Sequence, residues 1–449
     1  MKEEQNINQL PKDWKWLKLG EIVSHLGDGL HGTPVYTEEG DYYFINGNNL
    51  SDGKIIIKEN TKRVSQDQFK KYKKDLTDNT ILVSINGTIG NVAFYKNEKI
   101  VLGKSACYFN VKESVDKHYI SLLLKGRRFL NYANNSATGS TIKNVSLKAM
   151  REFELPVPPK ETQRVLVSKI EELFSEIDKG IEELKTAQQQ LKVYQQAVLK
   201  WAFEGKLTEE WRKSNGSQVR IQSGLQDLTM AAEPETVYEN NNELPKGWKR
   251  NSILHVASIN PKIPDRESLD GDLEIQFLPM KLVEEIINKF HLTETKKFKE
   301  AQKGSYTPFI NGDIIFAKVT PCMENGKIAV VDNLKNGLGY GSSEFHVLRC
   351  SDELLNKYLF YFVVQDRFRN EAQHAMTGAV GLRRVPKQFI ENYAVPLPPF
   401  VEQQQVVQEI ESRLSVCDKI EETITNSLKQ AEALRQSILK KAFEGKLIS

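Results

Sequence analysis

The 449-residue sequence has few cysteines, no long apolar run and almost no net charge. Its four cysteines form no Cys-x-x-Cys pair, which argues against a zinc ribbon or a disulfide framework and favours a reducing compartment. No run approaches the roughly 18 apolar residues of a membrane span, and the polar N-terminus lacks a signal-peptide core. With a net charge of +3, any nucleic-acid-binding surface must be local. The composition therefore predicts a soluble cytoplasmic protein.

Catalytic and metal-binding motifs are also missing from the sequence. There is no Asn/Asp-Pro-Pro-Tyr methyltransferase motif. Gly103-Lys104-Ser105 resembles the end of a P-loop, but Glu98 occupies the position of the required first glycine. The seven histidines form no His-x-x-x-His pair. We therefore predict no catalytic residue and no metal site, which argues against an enzyme.

What the sequence does contain is one long stretch present twice, at residues 155–207 and 395–447. The copies align without a gap at a shift of 240 (403 − 163), and each opens on Pro-Pro and closes on Ala-Phe-Glu-Gly-Lys-Leu. An internal repeat of this size indicates a duplicated architecture. The glycine after Phe203 and after Phe443 is a plausible helix C-cap.

Both copies carry apolar residues at helical spacing. These positions step by four and three, the 3.5-residue period that is typical of a coiled coil. Gln188, Gln195 and Arg435 occupy polar positions of the same seam, where polar side chains can fix register. The predicted seam consists of Ile170, Phe174, Ile177, Ile181, Leu184, Leu191 and Val198 in the first copy, and of Ile410, Leu414, Cys417, Ile424, Leu428 and Ile438 in the second.

Each helical copy follows a globular domain, and the two domains show the same order of predicted elements. Short β-type runs separated by Asn-Gly and Asp-Gly turns precede a helical segment, at 118–133 in the first domain and at 358–372 in the second. Between these landmarks the two sequences differ almost completely. We predict a first domain at 1–156, a helical repeat at 157–212, a polar linker at 213–243, a second domain at 244–396 and a second helical repeat at 397–449.

The predicted helices have a geometrical consequence. Two helices of about 40 residues would each be about 60 Å long. If they pack antiparallel, the domains lie at opposite ends, as two reading heads would on the half-sites of a DNA duplex. The alternative is a duplicated coiled-coil scaffold protein that does not bind DNA.

The chain resembles the specificity (S) subunit of a Type I restriction–modification enzyme over essentially its full length. Tandem domains that each end in a Thr-Gly … Pro-x-Pro-Pro segment carry this resemblance, together with the two helical repeats. One departure is Thr162, where the second copy has Glu402, and we interpret it as tolerated drift. The segments are Thr138-Gly139 with Pro156-Val157-Pro158-Pro159, and Thr377-Gly378 with Pro396-Leu397-Pro398-Pro399.

The resemblance implies an α+β fold with two tandem target-recognition domains of mixed α/β structure. A long helix follows each domain, and the two helices pack as an antiparallel coiled coil. It also implies a non-catalytic subunit that binds a bipartite double-stranded DNA target with an unread spacer. Two methyltransferase (M) subunits and the restriction/translocase (R) subunits would be its partners, and S-adenosylmethionine, ATP and Mg²⁺ would bind to those partners.

Three kinds of position are candidates for DNA contact: basic and amide residues of the Thr-Gly segments, a glycine-rich loop, and polar residues that follow strands. Arg, Lys and Asn side chains can hold phosphates or read base edges. The alternatives are a solvated basic loop and an ordinary turn. The candidates are Lys143, Asn144, Lys148, Arg383, Arg384 and Lys387, then Gly29, His31 and Thr33, and finally Ser84, Asn86, Lys318 and Thr320.

Overall fold

The computed structural model describes residues 10–139, 141–215, 244–286, 288–379 and 381–448. The chain divides into two compact units, the first formed by residues 1–186 and 424–449 and the second by residues 187–423. Each unit thus contains one globular domain and part of both long helices. Of the linker predicted at 213–243, residues 216–243 lie outside the described part of the chain, while residues 213–215 belong to a short helix.

The first domain is built on a four-stranded sheet in the order β2-β11-β8-β9, and a second sheet has the order β10-β4-β7-β3. Strands β8 and β11 are buried along their whole length. The first and last strands, β1 and β12, pair antiparallel and close the domain. The elements are β1 (Lys15–Lys18), α1 (Leu19–Ile22), β2 (Val23–Asp28), β3 (Tyr36–Thr37), β4 (Tyr42–Ile45), β5 (Leu50–Ser51), β6 (Lys54–Ile55), β7 (Arg63–Val64), α2 (Gln66–Tyr72), β8 (Thr80–Ser84), β9 (Val92–Phe94), β10 (Ile100–Leu102), β11 (Ala106–Val111), α3 (Lys117–Lys125), α4 (Arg127–Ser136), α5 (Leu147–Glu152) and β12 (Glu154–Val157).

Two more helices follow the first domain. The long helix α6 (Lys160–Phe203) is continuous over 44 residues. A short helix, α7, covers residues 209–215.

The second domain repeats the main sheet, in the order β14-β21-β18-β19, and is closed by the pair β13·β22. Its other sheet, β16-β15-β20-β17, has a different strand order from its counterpart. The elements are β13 (Lys249–Ser252), α8 (Ile253–Val256), β14 (Ala257–Ile259), β15 (Glu274–Leu278), β16 (Glu294–Lys297), α9 (Phe298–Lys303), β17 (Thr307–Ile310), β18 (Ile314–Ala317), β19 (Ile328–Val330), β20 (Leu338–Gly341), β21 (Phe345–Cys350), α10 (Asn356–Val363), α11 (Asp366–Ala375), α12 (Lys387–Asn392), β22 (Ala394–Leu397) and the long helix α13 (Phe400–Phe443).

The single helical segments predicted at 118–133 and 358–372 are each two helices. In the first domain Gly126 separates α3 from α4, with an extended backbone that ends one helix and begins the next. In the second domain α10 and α11 are separated at residues 364–365.

The long helices α6 and α13 pack antiparallel, as predicted. In the first unit the start of α6, at Leu166 and Ile170, shares a core with Ile438 and Ala442 at the end of α13. In the second unit the end of α6 shares a core with the start of α13 in the same manner. The side chains of the predicted seam are all buried or half-buried.

The polar seam residue Arg435 is accommodated between the two helices. Its guanidinium lies over the ring of Phe174, 5.4 Å from the ring centroid, and forms an ion pair with Asp178. A cation over an aromatic face is attracted by the ring quadrupole. Arg435 therefore fixes which part of α6 lies beside the end of α13.

A glutamine in each repeat joins the long helix to its domain. Gln163 accepts a hydrogen bond from the Asp116 backbone N–H at 2.7 Å and donates to the Pro158 carbonyl at 2.8 Å. Gln403 accepts from the Leu355 N–H at 2.8 Å and donates to the Pro398 carbonyl at 3.1 Å. Since both side chains are buried, they satisfy main-chain groups that water does not reach.

The Ala-Phe-Glu-Gly-Lys-Leu segments dock onto the domains. Phe443 packs edge-on against Tyr119 at 5.5 Å between ring centroids, and Phe203 packs likewise against Tyr358 at 5.0 Å. The glycine that follows has a positive φ in both copies, as a C-cap requires, of +70° at Gly205 and +72° at the second copy's glycine. The first domain thus receives the end of α13, and the second receives the end of α6.

Glu402, which stands where the first copy has Thr162, has a structural role in the second unit. The buried carboxylate of Glu402 accepts hydrogen bonds from the Thr208 hydroxyl at 2.8 Å and the Arg212 guanidinium at 2.5 Å. Under the shift of 240, Thr208 corresponds to Ile448, which has no hydroxyl. Thr162 itself is only partly buried, whereas Glu402 is fully buried.

Candidate nucleic-acid interface

Each Thr-Gly segment forms a loop that is closed at its base by two backbone hydrogen bonds. In the first domain Thr138 and Asn144 exchange N–H to carbonyl bonds of 2.9 Å in both directions. In the second domain Thr377 and Arg384 do the same, at 3.0 and 2.8 Å. We call residues 138–144 and 377–384 the first and second recognition loops.

The recognition loops are bound to the segments that follow the central strands β8 and β18. The Val145 N–H donates to the Ile85 carbonyl at 2.8 Å, and the Val385 N–H donates to the Lys318 carbonyl at the same distance. These bonds bring together two of the three groups of predicted site residues in both domains, although the groups are far apart in sequence. Here the first domain has Asn86 and Asn144, and the second has Lys318 and Arg384.

In the first domain all three groups meet at one cleft of about 460 Å³. His31, Asn86 and Asn144 line it, together with Asp28 and Lys104. The Asn86 amide donates to the Asn144 side-chain oxygen at 3.2 Å, and the His31 ring lies 2.6 Å from the Asp28 carboxylate. The cleft therefore presents amide, carboxylate, imidazole and ammonium groups, which suit the donors and acceptors of base edges.

Asp28 and Lys104 were missed by sequence reasoning. Asp28 ends strand β2, and Lys104 follows strand β10 in the segment that resembles an incomplete P-loop. Polar residues just after strands are a usable signal. Our prediction on this ground includes only Ser84, Asn86, Lys318 and Thr320.

The second domain carries a charged cluster in the equivalent place. Arg384 donates two hydrogen bonds to the Glu344 carboxylate, at 2.8 and 2.6 Å, and these bonds hold the pKa of Glu344 below its usual range. Partial burial lowers the pKa of Lys318 nearby. Arg383 donates to the Met376 carbonyl at 2.9 Å, across the base of the second recognition loop.

The structure buries two of the predicted contact residues, Ser84 and Gly29. The Ser84 side chain is 0% exposed, inside strand β8. Gly29 is buried where a Cβ would lie 2.2 Å from the Leu102 carbonyl oxygen, so this glycine permits close backbone packing rather than a flexible loop.

The remaining candidates lie at or near the surface and stay predictions. Lys143, Lys148 and Thr33 are exposed. The Lys387 ammonium forms an ion pair with Glu391 at 2.8 Å, and the Thr320 hydroxyl donates to Glu324 at 2.9 Å.

Among the described residues, no group of three or more His, Cys, Asp or Glu side chains is arranged to hold a metal ion. In the same part of the chain, no helix has both the length and the apolar character needed to cross a membrane.

Comparison with known proteins identifies the family. The sequence profile described as "Type I restriction modification DNA specificity domain" matches residues 11–186 and 245–430, which is more than half of the chain. The chain belongs to this family. Its two matched regions coincide with the two domains and the first part of the helix that follows each.

Individual relatives fall into two groups. The EcoAI specificity subunit of Escherichia coli is 40% identical over 198 residues, which are 44% of this chain and 33% of that protein. The EcoEI specificity subunit of E. coli is 38% identical over the same shares, so these matches span only a third of those relatives' lengths. The EcoDI specificity subunit of E. coli is 24% identical over 446 residues, 98% of this chain and 90% of that protein.

Two solved structures share the fold. One comes from work on complex assembly and conformational transition of the type I R-M system. Its TM-score is 0.67 at 16% identity, and the match covers 98% of this chain and 100% of that chain. The HsdS subunit from Thermoanaerobacter tengcongensis has a TM-score of 0.55 at 17% identity and covers 98% of this chain and 99% of its own.

Proposed function

We propose that this chain is the DNA-recognition subunit of a Type I restriction–modification complex and has no catalytic role of its own. It binds a bipartite target with an unread spacer, the first domain reading one half-site and the second domain the other. One observation carries this proposal. The same loop frame occurs in both domains, with Asn144 and Arg384 at equivalent positions.

The different side chains suit different bases. An asparagine amide pairs with the N6 and N7 edge of adenine, whereas an arginine guanidinium pairs with the O6 and N7 edge of guanine. In the first domain, the Asp28 carboxylate adds an acceptor for an exocyclic amine beside Asn144. The two half-sites would therefore differ in sequence, and the length of the helices would set the spacer between them.

The partners follow from the same proposal. Two M subunits dock on the helical regions, and R subunits join for restriction. S-adenosylmethionine, ATP and Mg²⁺ belong to those subunits, and the complex works in the cytoplasm. Exposed apolar side chains on the helices support docking there: Tyr194 and Trp201, about two turns apart on α6, and Val416 and Ile420, about one turn apart on α13.

Methylome sequencing with and without the gene tests the proposal, in cells that express the partner genes. Loss of one bipartite adenine-methylation motif is the expected result, and an unchanged methylome would contradict it. Gel shifts with an M subunit present separate the alternative, a coiled-coil scaffold protein. The scaffold would show no sequence-selective DNA binding.

A further inference from the structure

The two recognition loops share a feature that the proposed base readers do not explain. Each presents a large aliphatic side chain to solvent, Ile142 at 60% and Leu382 at 59% exposure. The two residues are equivalent, since each stands two positions before the residue that closes its loop, Asn144 or Arg384, and they are related by the shift of 240 (382 − 142). Isolated exposed aliphatic residues are common on protein surfaces. An exposed pair at equivalent positions of two otherwise divergent domains is not expected by chance.

The loop backbone has a specific shape around each aliphatic residue. Gly139 and Gly378 have φ angles of +101° and +119°, a region that side chains disfavour. A Cβ at Gly139 would lie 2.3 Å from the Ile142 carbonyl oxygen, and one at Gly378 would lie 3.0 Å from the Leu382 carbonyl oxygen. The glycines therefore allow each loop to fold back on the carbonyl of its aliphatic residue. Two backbone hydrogen bonds close the base of each loop. Each aliphatic residue therefore lies on a loop whose two ends are bonded to each other.

The chemistry beside each aliphatic side chain favours a polyanion. Ile142 is followed by Lys143, and Lys148 is exposed in the first turn of the next helix. Leu382 is followed by Arg383 and Arg384. The acidic neighbour Glu344 is paired with Arg384. An apolar tip flanked by cations matches a duplex groove, where phosphates border the apolar faces and methyl groups of the bases.

We propose that Ile142 and Leu382 enter a groove of the DNA duplex and pack against bases, each in the half-site that its own domain reads. Lys143, Lys148 and Arg383 bind the bordering phosphates, while Arg384 keeps its proposed role as a base reader. This inference rests on the proposed function and adds to it an apolar contact that is the same in both half-sites. A protein partner that covers these side chains is the competing occupant, and the test below distinguishes it.

The test uses the full chain assembled with its M subunits and a target duplex whose sequence comes from the methylome. The variants are Ile142→Ser and Leu382→Ser, and Ile142→Leu is the conservative variant. The matched controls are Ile57→Ser and Leu254→Ser, which change aliphatic residues that are 44% and 53% exposed outside the recognition loops. Assembly with the M subunits is measured for every variant by size-exclusion chromatography.

Duplex affinity should fall about tenfold or more for each of the two loop variants, within the usual range for losing one base contact. It should stay within about twofold for the controls and for Ile142→Leu. The fluorescence of 2-aminopurine, placed in turn in each half-site, should change on binding of the unaltered complex. Ile142→Ser should abolish the change in one half-site only, and Leu382→Ser in the other.

Unchanged affinity and fluorescence in both loop variants would overturn the inference and leave the proposed function standing. Loss of M-subunit assembly with DNA binding otherwise intact would also overturn it, in favour of a protein contact. If the unaltered complex showed no sequence-selective binding, both the inference and the proposed function would fall.

Discussion

The two domains share the features that backbone hydrogen bonds build, and they differ in side chains that reach the solvent. The strand order of the main sheet, the paired bonds of the recognition loops and the link from each loop to the central strand recur in both domains. At the position that closes each loop the side chains differ, Asn144 in one domain and Arg384 in the other. Because backbone bonds tolerate any side chain, a frame of this kind permits new specificities without a new fold.

In the helical repeats, by contrast, side chains rather than backbone groups make the connections that both copies share. Gln163 and Gln403 are identical because their side chains themselves join helix to domain. Glu402 binds the Thr208 hydroxyl and the Arg212 guanidinium, whereas the position equivalent to Thr208 is Ile448, which has no hydroxyl. A side chain is thus the same in both repeats where it makes the connection itself, and it differs between the repeats where its partner differs. The predictions below test this comparison.

Arg212→Ala should have the largest effect on stability. It leaves the buried Glu402 carboxylate without its cation and should lower the free energy of unfolding by about 3 kcal/mol. Chemical denaturation of the full chain measures this. Lys213→Ala, which removes a cation from an exposed pair, is the control and should change nothing measurable. Equal stability of the two variants would show that Glu402 does not depend on Arg212.

Gln403→Leu should rank next. It leaves the buried Leu355 N–H without its acceptor, which costs about 1–3 kcal/mol, and it removes one donor from each of two carbonyls. Gln163→Leu removes two bonds instead of three and should cost less. The exposed neighbour Gln404→Leu serves as control. A cost in the control as large as that at Gln403 would refute the role of the buried bonds.

Arg384→Ala should alter recognition without unfolding the protein, since the side chain is exposed. We expect discrimination at one position of the second half-site to fall about tenfold, the typical value of one base-reading contact. Competition binding with single-base variants of the target measures it. Asn144→Ala should do the same in the first half-site only. If either substitution relaxed both half-sites, the assignment of one loop to one half-site would be wrong.

Glu344→Gln should have the smallest effect, and that effect depends on pH. Since Arg384 lowers the pKa of Glu344 in the folded state, the pair stabilises the fold above the unfolded pKa of about 4.3, and this contribution disappears as pH falls through the lower folded value. The wild type should therefore melt slightly higher than the variant at pH 7, and the two should converge once the pH falls below the folded pKa of Glu344. A difference that persists in acid would rule out this linkage.

Periodic features of this molecule could be predicted from its sequence, and non-local pairings could not. The repeat and the coiled-coil seam follow from spacing alone. The burial of Ser84 could not be predicted because β8 is covered on both faces, so alternation does not identify an outward side. The partners of Glu402 lie about 190 residues earlier in the chain. The cleft joins the ends of β2, β8 and β10 with the first recognition loop, and no local pattern predicts that meeting.

The central claim is that each domain reads its own half-site. The most direct test is methylome sequencing of cells in which residues 1–156 are replaced by the corresponding domain of another family member, with the partner genes expressed. One half of the methylated motif should change, while the other half and the spacer stay as they were. A change in both halves, or in neither, would contradict the claim.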